Sequence, residues 1–228
     1  MAKKLFITGT GTDIGKTYVT GLILKKLQQS GRRAAYYKAA MSGNERDADG
    51  NLIPGDAFHV KTVSGITQPL DSMCPYVYEA AVSPHLASRL EGNPVNMDVV
   101  KSGFDQVCEA YDYVTVEGSG GIVCPIDFDH SKLQLEDIIG ELKLPSILIA
   151  DAGLGTINGV VLTAEYMKNR NLELKGIIFN HFHPGDVMEE DNIRMCEYYT
   201  GLPTLACIRE GDTDLDLDAE KLAALYSE

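Results

Sequence analysis

An α/β fold, with a largely parallel central sheet and helices on both faces, is what this sequence predicts. Three observations carry the prediction. Short β-rich runs alternate with helical stretches along most of the chain. Those runs are apolar throughout rather than alternating, as strands buried on both faces are. Polar and glycine-rich segments follow the runs, at the strand ends where an open α/β sheet binds its ligands.

The elements follow in order. Residues 4–8 read as the first strand, and 15–30 as a helix with Val19, Leu22, Ile23 and Leu27 on one face and Gly31 as its stop. Residues 34–38 form a second strand, and the polar, Gly/Pro-punctuated stretch 43–55 forms a loop. Ser83 and Pro84 mark a helix start, with Ser as N-cap and Pro at the first helical position. A helix over 97–111 leads into a strand at 113–117, which ends in Gly118-Ser-Gly-Gly121. Strands at 145–151, 176–180 and 204–208 alternate with helices at 157–169 and 187–199, and a short helix at 219–226 closes the pattern. No internal repeat or long linker interrupts it, so the 228 residues read as one domain, 1–228.

Composition narrows the function classes. Hydrophobic residues make up 44% and charged residues 23%, which sets aside disordered and collagen-like chains. Acidic residues outnumber basic ones 33 to 20, a formal net charge of −13. Such a surface repels phosphate backbones and anionic lipid, so neither nucleic acid nor membrane is an expected partner. A local basic pocket can still take a small anion. After Met1-Ala2-Lys3-Lys4 comes an apolar run too short for a secretory signal. The longest apolar stretch, 144–167, is broken by Asp151, Asn158, Glu165 and three glycines, so no span is expected. Cys74, Cys108, Cys124, Cys196 and Cys207 include no C-x-x-C pair and read as reduced thiols of a cytoplasmic protein.

The strongest chemical signal lies between the first strand and helix, at Gly9-Thr-Gly-Thr-Asp-Ile-Gly-Lys-Thr17. It resembles a phosphate-binding P-loop, with the flanking glycine one residue early and Thr10 in its usual place. Glycines let backbone N–H groups approach phosphate oxygens; Lys16 adds charge, and the Thr17 hydroxyl suits Mg²⁺. Glu117, at a strand end before glycines, is the candidate metal carboxylate. Asp56 is a second, although Asp after Pro54-Gly55 also reads as a helix N-cap. Lys38 ends its strand in the same crevice, where it can neutralise a transferring phosphoryl group or sit as a solvated strand-end lysine.

Taken together these motifs resemble the dethiobiotin synthetase family. They are the loop, then Tyr37-Lys38 with Ser42-Gly43, Asp56, Ser83-Pro84-His85, Glu117-Gly-Ser-Gly-Gly121 and Gly155-Thr-Ile-Asn158, in that order and to about residue 208. The resemblance implies a P-loop NTPase-like fold and closure of a ureido ring on 7,8-diaminopelargonic acid with CO2 and ATP. It further implies a carbamate and a carbamic–phosphoric anhydride on the way. Lys38 and Lys16 are the implied catalytic residues, and Thr17, Asp56 and Glu117 the implied Mg²⁺ ligands. The implied nucleotide set is Asp13, Ile14, Gly15, Lys16, Thr17, Tyr18, Asp56, Glu117, Gly118, Ser119, Gly120, Asn180, His181 and Ile208, with Asn180 on the adenine. The implied substrate set is Thr12, Ser42, Gly120 and Gly121, joined by Gly155 and Asn158 from the second subunit of a homodimer. Gly11 and Ala39 stand where many members have Asp and Pro. His181 stands where an Asp is common, and Arg209 replaces a Pro after Ile208, both on the nucleobase side.

A partitioning-type, nucleotide-switched ATPase shares this broad fold. Its loop carries an extra lysine near the start, which Gly9-Thr-Gly-Thr lacks, and the tail here is acidic rather than a basic membrane helix. A GTPase would need Asn-Lys-x-Asp, where this chain has Asn180-His-Phe-His183. His59, His130 and His183 need no role; His85 is a candidate for shaping the substrate site. Tyr36, Tyr37, Tyr198 and Tyr199 read as packing residues. The Asp-rich segment after 210 reads as a solvated face or helix cap. Lys38→Ala is expected to leave folding nearly intact and to reduce turnover sharply.

Overall fold

The structure is a computed structural model that describes residues 2–228. Along the chain, β1 (Lys3–Gly9), α1 (Lys16–Gln29), β2 (Ala34–Tyr37), β3 (Ala40–Met41) and α2 (Gly55–Ser64) come first. A short 3-10 turn at Leu70–Ser72 precedes β4 (Tyr76–Val77), α3 (Pro84–Glu91), α4 (Met97–Ala110) and β5 (Tyr113–Glu117). Then follow β6 (Pro125–Asp127), β7 (Leu133–Gln134), α5 (Leu135–Leu142), β8 (Ser146–Asp151) and α6 (Thr156–Asn169). The last elements are β9 (Leu174–Asn180), α7 (Val187–Thr200), β10 (Thr204–Cys207) and α8 (Ala219–Ala223).

Six strands form one sheet in the order β10-β9-β8-β1-β5-β2. Every pairing within it is parallel. β1 sits between β5 and β8: the chain first builds β2 and β5 on one side of it and then crosses to β8, β9 and β10 on the other. That makes the carboxyl end of β1 the switch point where such sheets open a crevice. The central strands are apolar on both faces because both faces are covered. Leu5 and Ile7 of β1 pack with Val19, Leu22 and Ile23 of α1, whereas Phe6 packs with Val100 and Phe104 of α4 and Ile138 and Ile139 of α5. A third cluster joins Leu148 and Phe179 to Val160 of α6 and Cys196 of α7.

All the expected strands and helices form, with three shifts. Helix 219–226 stops at Ala223. Ser83 precedes α3 but its side chain makes no capping bond; Pro84 alone marks the start. Asp56 is not a cap either: Asn44 Oδ1 accepts from Gly55 N at 2.8 Å, so the carboxylate is left for other partners. Two small ribbons, β3-β4 and β6-β7, and the helices α2 and α5 are additions. The acidic tail behaves as a cap and a bonded face: Asp218 caps α8, Asp214 meets Lys26 and Glu220 meets Arg32. All five cysteines are free, and no described helix is long and apolar enough to cross a membrane.

Candidate active site

The loop after β1 is bound at both ends by packing. Gly15 has φ 86, a left-handed conformation that L side chains rarely adopt. A Cβ there would lie 2.2 Å from Asn180 Nδ2, so the loop and the end of β9 meet only because residue 15 is glycine. Asn180 Nδ2 donates to Ile14 O at 3.1 Å and fixes the approach. Lys16, 7% exposed, turns back to donate to Gly11 O at 2.7 Å. Burial, then the charge of Lys38, holds its pKa below the ordinary lysine value. Two ammonium groups enclosed this way favour an anion between them.

Opposite the loop, two strand ends and the first turn of α2 deliver the second half of the site. Lys38 follows β2, and its Nζ lies 2.6 Å from Asp56 Oδ2 and 2.9 Å from Glu117 Oε1. Burial alone would lower its pKa, but Glu117 and Asp56 outweigh that and raise it, so Lys38 is an ammonium. Burial likewise pushes the Asp56 carboxyl up, and the Lys38 charge reverses this to a net lowering. Thr17 Oγ1 donates to the same Glu117 Oε1 at 2.8 Å. Tyr36 OH donates to the other oxygen, Oε2, at 3.2 Å from full burial. Thr17, Asp56 and Glu117 therefore form an all-oxygen cluster of one hydroxyl and two carboxylates, held together by a lysine cation. Hard oxygen donors of this kind suit a magnesium ion.

A cleft of about 930 Å³ joins the two halves. Thr12, Asp13, Gly15, Lys16, Thr17, Lys38, Ser42, Asp56, Glu117, Ser119, Gly120 and Gly121 all line it. Met41, Val82, Pro84, Val123 and Pro125 give it an apolar wall. Ser42 Oγ donates to Val82 O at 2.6 Å and Ser119 Oγ to Ala40 O at 3.1 Å, which ties the segment after β3 to the one before α3 and the loop after β5 to β3. Gly118 lies beneath: a Cβ there would be 2.8 Å from Phe6 Cζ. Cys124 lines the cleft as a thiol whose pKa burial raises. A separate groove of about 650 Å³, beside α4, is lined by Tyr37, Val99 and Tyr111 and holds none of these residues.

The remaining expected residues sit elsewhere. Ile14 packs with the core under α1, and Tyr18 OH donates to Asp212 O. Asn180, His181 and Ile208 cluster at the ends of β9 and β10, on the far side of the loop. Arg209 is folded back on Asp212 at 3.1 Å. Gly155, φ 92, caps α6, and Gly155 and Asn158 are exposed and outside their own chain's cleft. His85 does not line the cleft; its Nδ1 is buried without a partner among the described residues. Tyr36 corrects the packing-only expectation, since its hydroxyl reaches Glu117. The signal was present: Tyr36 and Lys38 are two apart in an extended segment and so share a face. The apolar wall from 82–84 and 123–125 carried no such signal.

Comparison with known proteins bears on the family and the fold. A family model described as an AAA domain matches residues 3–215. An ATP-dependent dethiobiotin synthetase of Brachyspira hyodysenteriae is 48% identical over 227 residues, covering 99% of this chain and 100% of the relative. One from Clostridium botulinum (strain Loch Maree / Type A3) is 45% identical over 228 residues, covering 100% of both. Among solved structures, the MinC:MinD cell division protein complex of Aquifex aeolicus aligns with TM-score 0.58 at 13% identity, covering 92% of this chain and 82% of that one. A ParA family ATPase of Chlorobium tepidum TLS gives 0.52 at 14% identity, covering 92% and 85%. These last two likenesses show the fold, that of the P-loop NTPases. The full-length relatives show the family: this chain belongs to the ATP-dependent dethiobiotin synthetases, ligases of biotin biosynthesis.

Proposed function

We propose that one domain, residues 1–228, converts 7,8-diaminopelargonic acid, CO2 and ATP to dethiobiotin, ADP and phosphate. One amine takes up CO2 and loses a proton to become a carbamate. A carbamate oxygen attacks the γ-phosphorus and expels ADP, giving a carbamic–phosphoric anhydride. The second amine attacks the carbonyl carbon, and the C–O bond to phosphate breaks as the ring closes.

The observation that carries this reading is the placement of Lys38 across one cleft from Lys16, with Thr17, Asp56 and Glu117 between them. A carbamate meeting a triphosphate brings anion to anion, and two buried ammonium groups offset that repulsion. Lys16 and the backbone N–H groups of the loop orient the phosphates. Lys38 holds the carbamate oxygen in line and stabilises charge developing at the γ-phosphate. Thr17, Asp56 and Glu117 would hold Mg²⁺, which when bound neutralises phosphate charge. Thr12, Ser42, Gly120 and Gly121 seat the diamine end, and the apolar wall suits its alkyl chain. Gly155 and Asn158 lie outside their own chain's cleft, so a second copy supplies that helix start to the substrate's distant carboxylate, a good match for an anion.

Phosphate release from Mg·ATP tests the reading, with diamine and bicarbonate omitted in turn and the product followed by mass. The expected result is release that needs both, together with a dethiobiotin mass. Release indifferent to the diamine overturns it and points to a switch-type ATPase.

A further inference from the structure

We infer that Lys38 competes with the divalent metal ion for the Asp56–Glu117 pair and is released toward the substrate when the metal displaces it, given the proposed role of Thr17, Asp56 and Glu117 as the metal ligands. The cation that this pair holds is the Lys38 ammonium. Its Nζ lies 2.6 Å from Asp56 Oδ2 and 2.9 Å from Glu117 Oε1, on a side chain only 7% exposed. Thr17 Oγ1 donates to the same Glu117 Oε1 at 2.8 Å, and Tyr36 OH donates to Oε2 at 3.2 Å. The lysine thus sits on oxygens of both candidate carboxylate ligands.

Two cations do not fit these oxygens together. A magnesium ion approaches its oxygen ligands to about 2.0–2.1 Å, so on Asp56 Oδ2 and Glu117 Oε1 it would stand within about 5 Å of Nζ. Like charges that close repel strongly where little water intervenes. The Thr17 hydroxyl can adapt, because rotation turns a lone pair toward a metal. The ammonium cannot, since it has donors and no acceptor. Charge balance points the same way. One ammonium leaves the two carboxylates with a net negative charge, a divalent ion neutralises them, and both together overshoot.

A displaced Lys38 has somewhere to go. Its four-carbon stem is flexible, and it lines the same cleft as Thr12, Ser42 and Gly121, the proposed seat of the diamine. Held on Asp56 and Glu117, its ammonium is already neutralised and is a poor partner for a carbamate. Freed from them, it faces the cleft as a cation. Lys38 therefore serves one set of anions before the metal binds and another after, which couples metal loading to the readiness of the substrate site.

The test is binding of Mn²⁺ alone to the full chain, read by electron paramagnetic resonance, in wild type, Lys38→Met and Glu117→Gln. Lys38→Met keeps an unbranched stem and removes the charge. Its Kd for Mn²⁺ is expected to be about tenfold lower than that of wild type, even though turnover is lost. A lysine that only orients the carboxylates predicts the opposite, a loss of about 10–100-fold. An equal or higher Kd in Lys38→Met overturns the inference. Melting temperature is the second readout. Mn²⁺ is expected to raise it more in Lys38→Met than in wild type, because the metal then compensates carboxylates that lack their ammonium. An equal or smaller rise also overturns the inference. Glu117→Gln separates it from the reading beneath. Unchanged Mn²⁺ binding there moves the metal off this cluster and defeats both. Weakened binding in Glu117→Gln without tightening in Lys38→Met defeats the competition alone.

Discussion

Lys38 shows how burial changes what a substitution tests. As a strand-end lysine in the sequence it looks removable without cost to folding. In the structure its side chain is 7% exposed and neutralises Glu117, which is 0% exposed. Removing one partner of a buried pair leaves the other charge uncompensated, and Asp56 is open enough to water to moderate the loss. Lys38→Ala is therefore expected to cost about 3 kcal/mol of stability as well as about 10²–10³-fold in kcat. Chemical denaturation and turnover, each with and without Mg·ATP, separate the two effects. Tyr36→Phe is the finer probe. It keeps the ring packed and deletes only the hydroxyl on Glu117 Oε2. Half-saturation by Mg²⁺ is expected to rise about tenfold, the scale for losing a partner that orients a metal ligand. Direct Mn²⁺ binding checks it; unchanged binding would mean that Thr17 orients Glu117 unaided.

The elements of the sheet were legible because their signals are local. Six apolar runs and their helices follow from hydrophobic period, and Gly-Lys-Thr after a strand marks the loop. The segments 40–41, 56–82 and 121–144 were not, and for their strands the reason is physical. β3, β4, β6 and β7 are 2–3 residues long, too short for any period to show. Their pairing depends on what the sheet brings beside them. The same limit hid Met41, Val82, Val123 and Pro125 of the cleft's apolar wall, while Pro84 stood in view only as a helix start. Where glycines meet the core, close contact turns the sequence signal into a stability prediction. Gly118 ends β5 against the ring of Phe6, which is fully buried and cannot move aside. Gly118→Ala would also crowd Leu135 Cδ2 at 3.1 Å. The expected loss is about 1–3 kcal/mol from overpacking, read as a lower urea midpoint at constant m-value.

Across the whole molecule, the excess of acid and the buried carboxylates act in opposite directions as pH falls. The formal charge of −13 fades toward the sequence pI of about 4.8, which relieves diffuse repulsion that salt already screens. Specific carboxylates lose their partners only lower. Asp56 and Asp127 both have pKa values below the ordinary 3.8. Burial pushes both upward; the Lys38 charge reverses this at Asp56, and bonds from Ser131 and His130 do so at Asp127. A depressed folded pKa contributes stability that is present above the unfolded value and lost as pH falls through the folded one. Melting temperature is therefore expected to hold or rise slightly down to the pI, then fall once pH drops below 3.8. Asp127 supplies the control. Its Oδ2 takes Ser131 N at 2.6 Å and Ser131 Oγ at 2.7 Å, clamping the turn after β6. Asp127→Asn mimics the protonated acid at every pH. It should melt lower than wild type at neutral pH, and the gap should close as wild type itself protonates. A gap that stays constant from about pH 7 to about pH 3 would assign the loss to packing and not to charge.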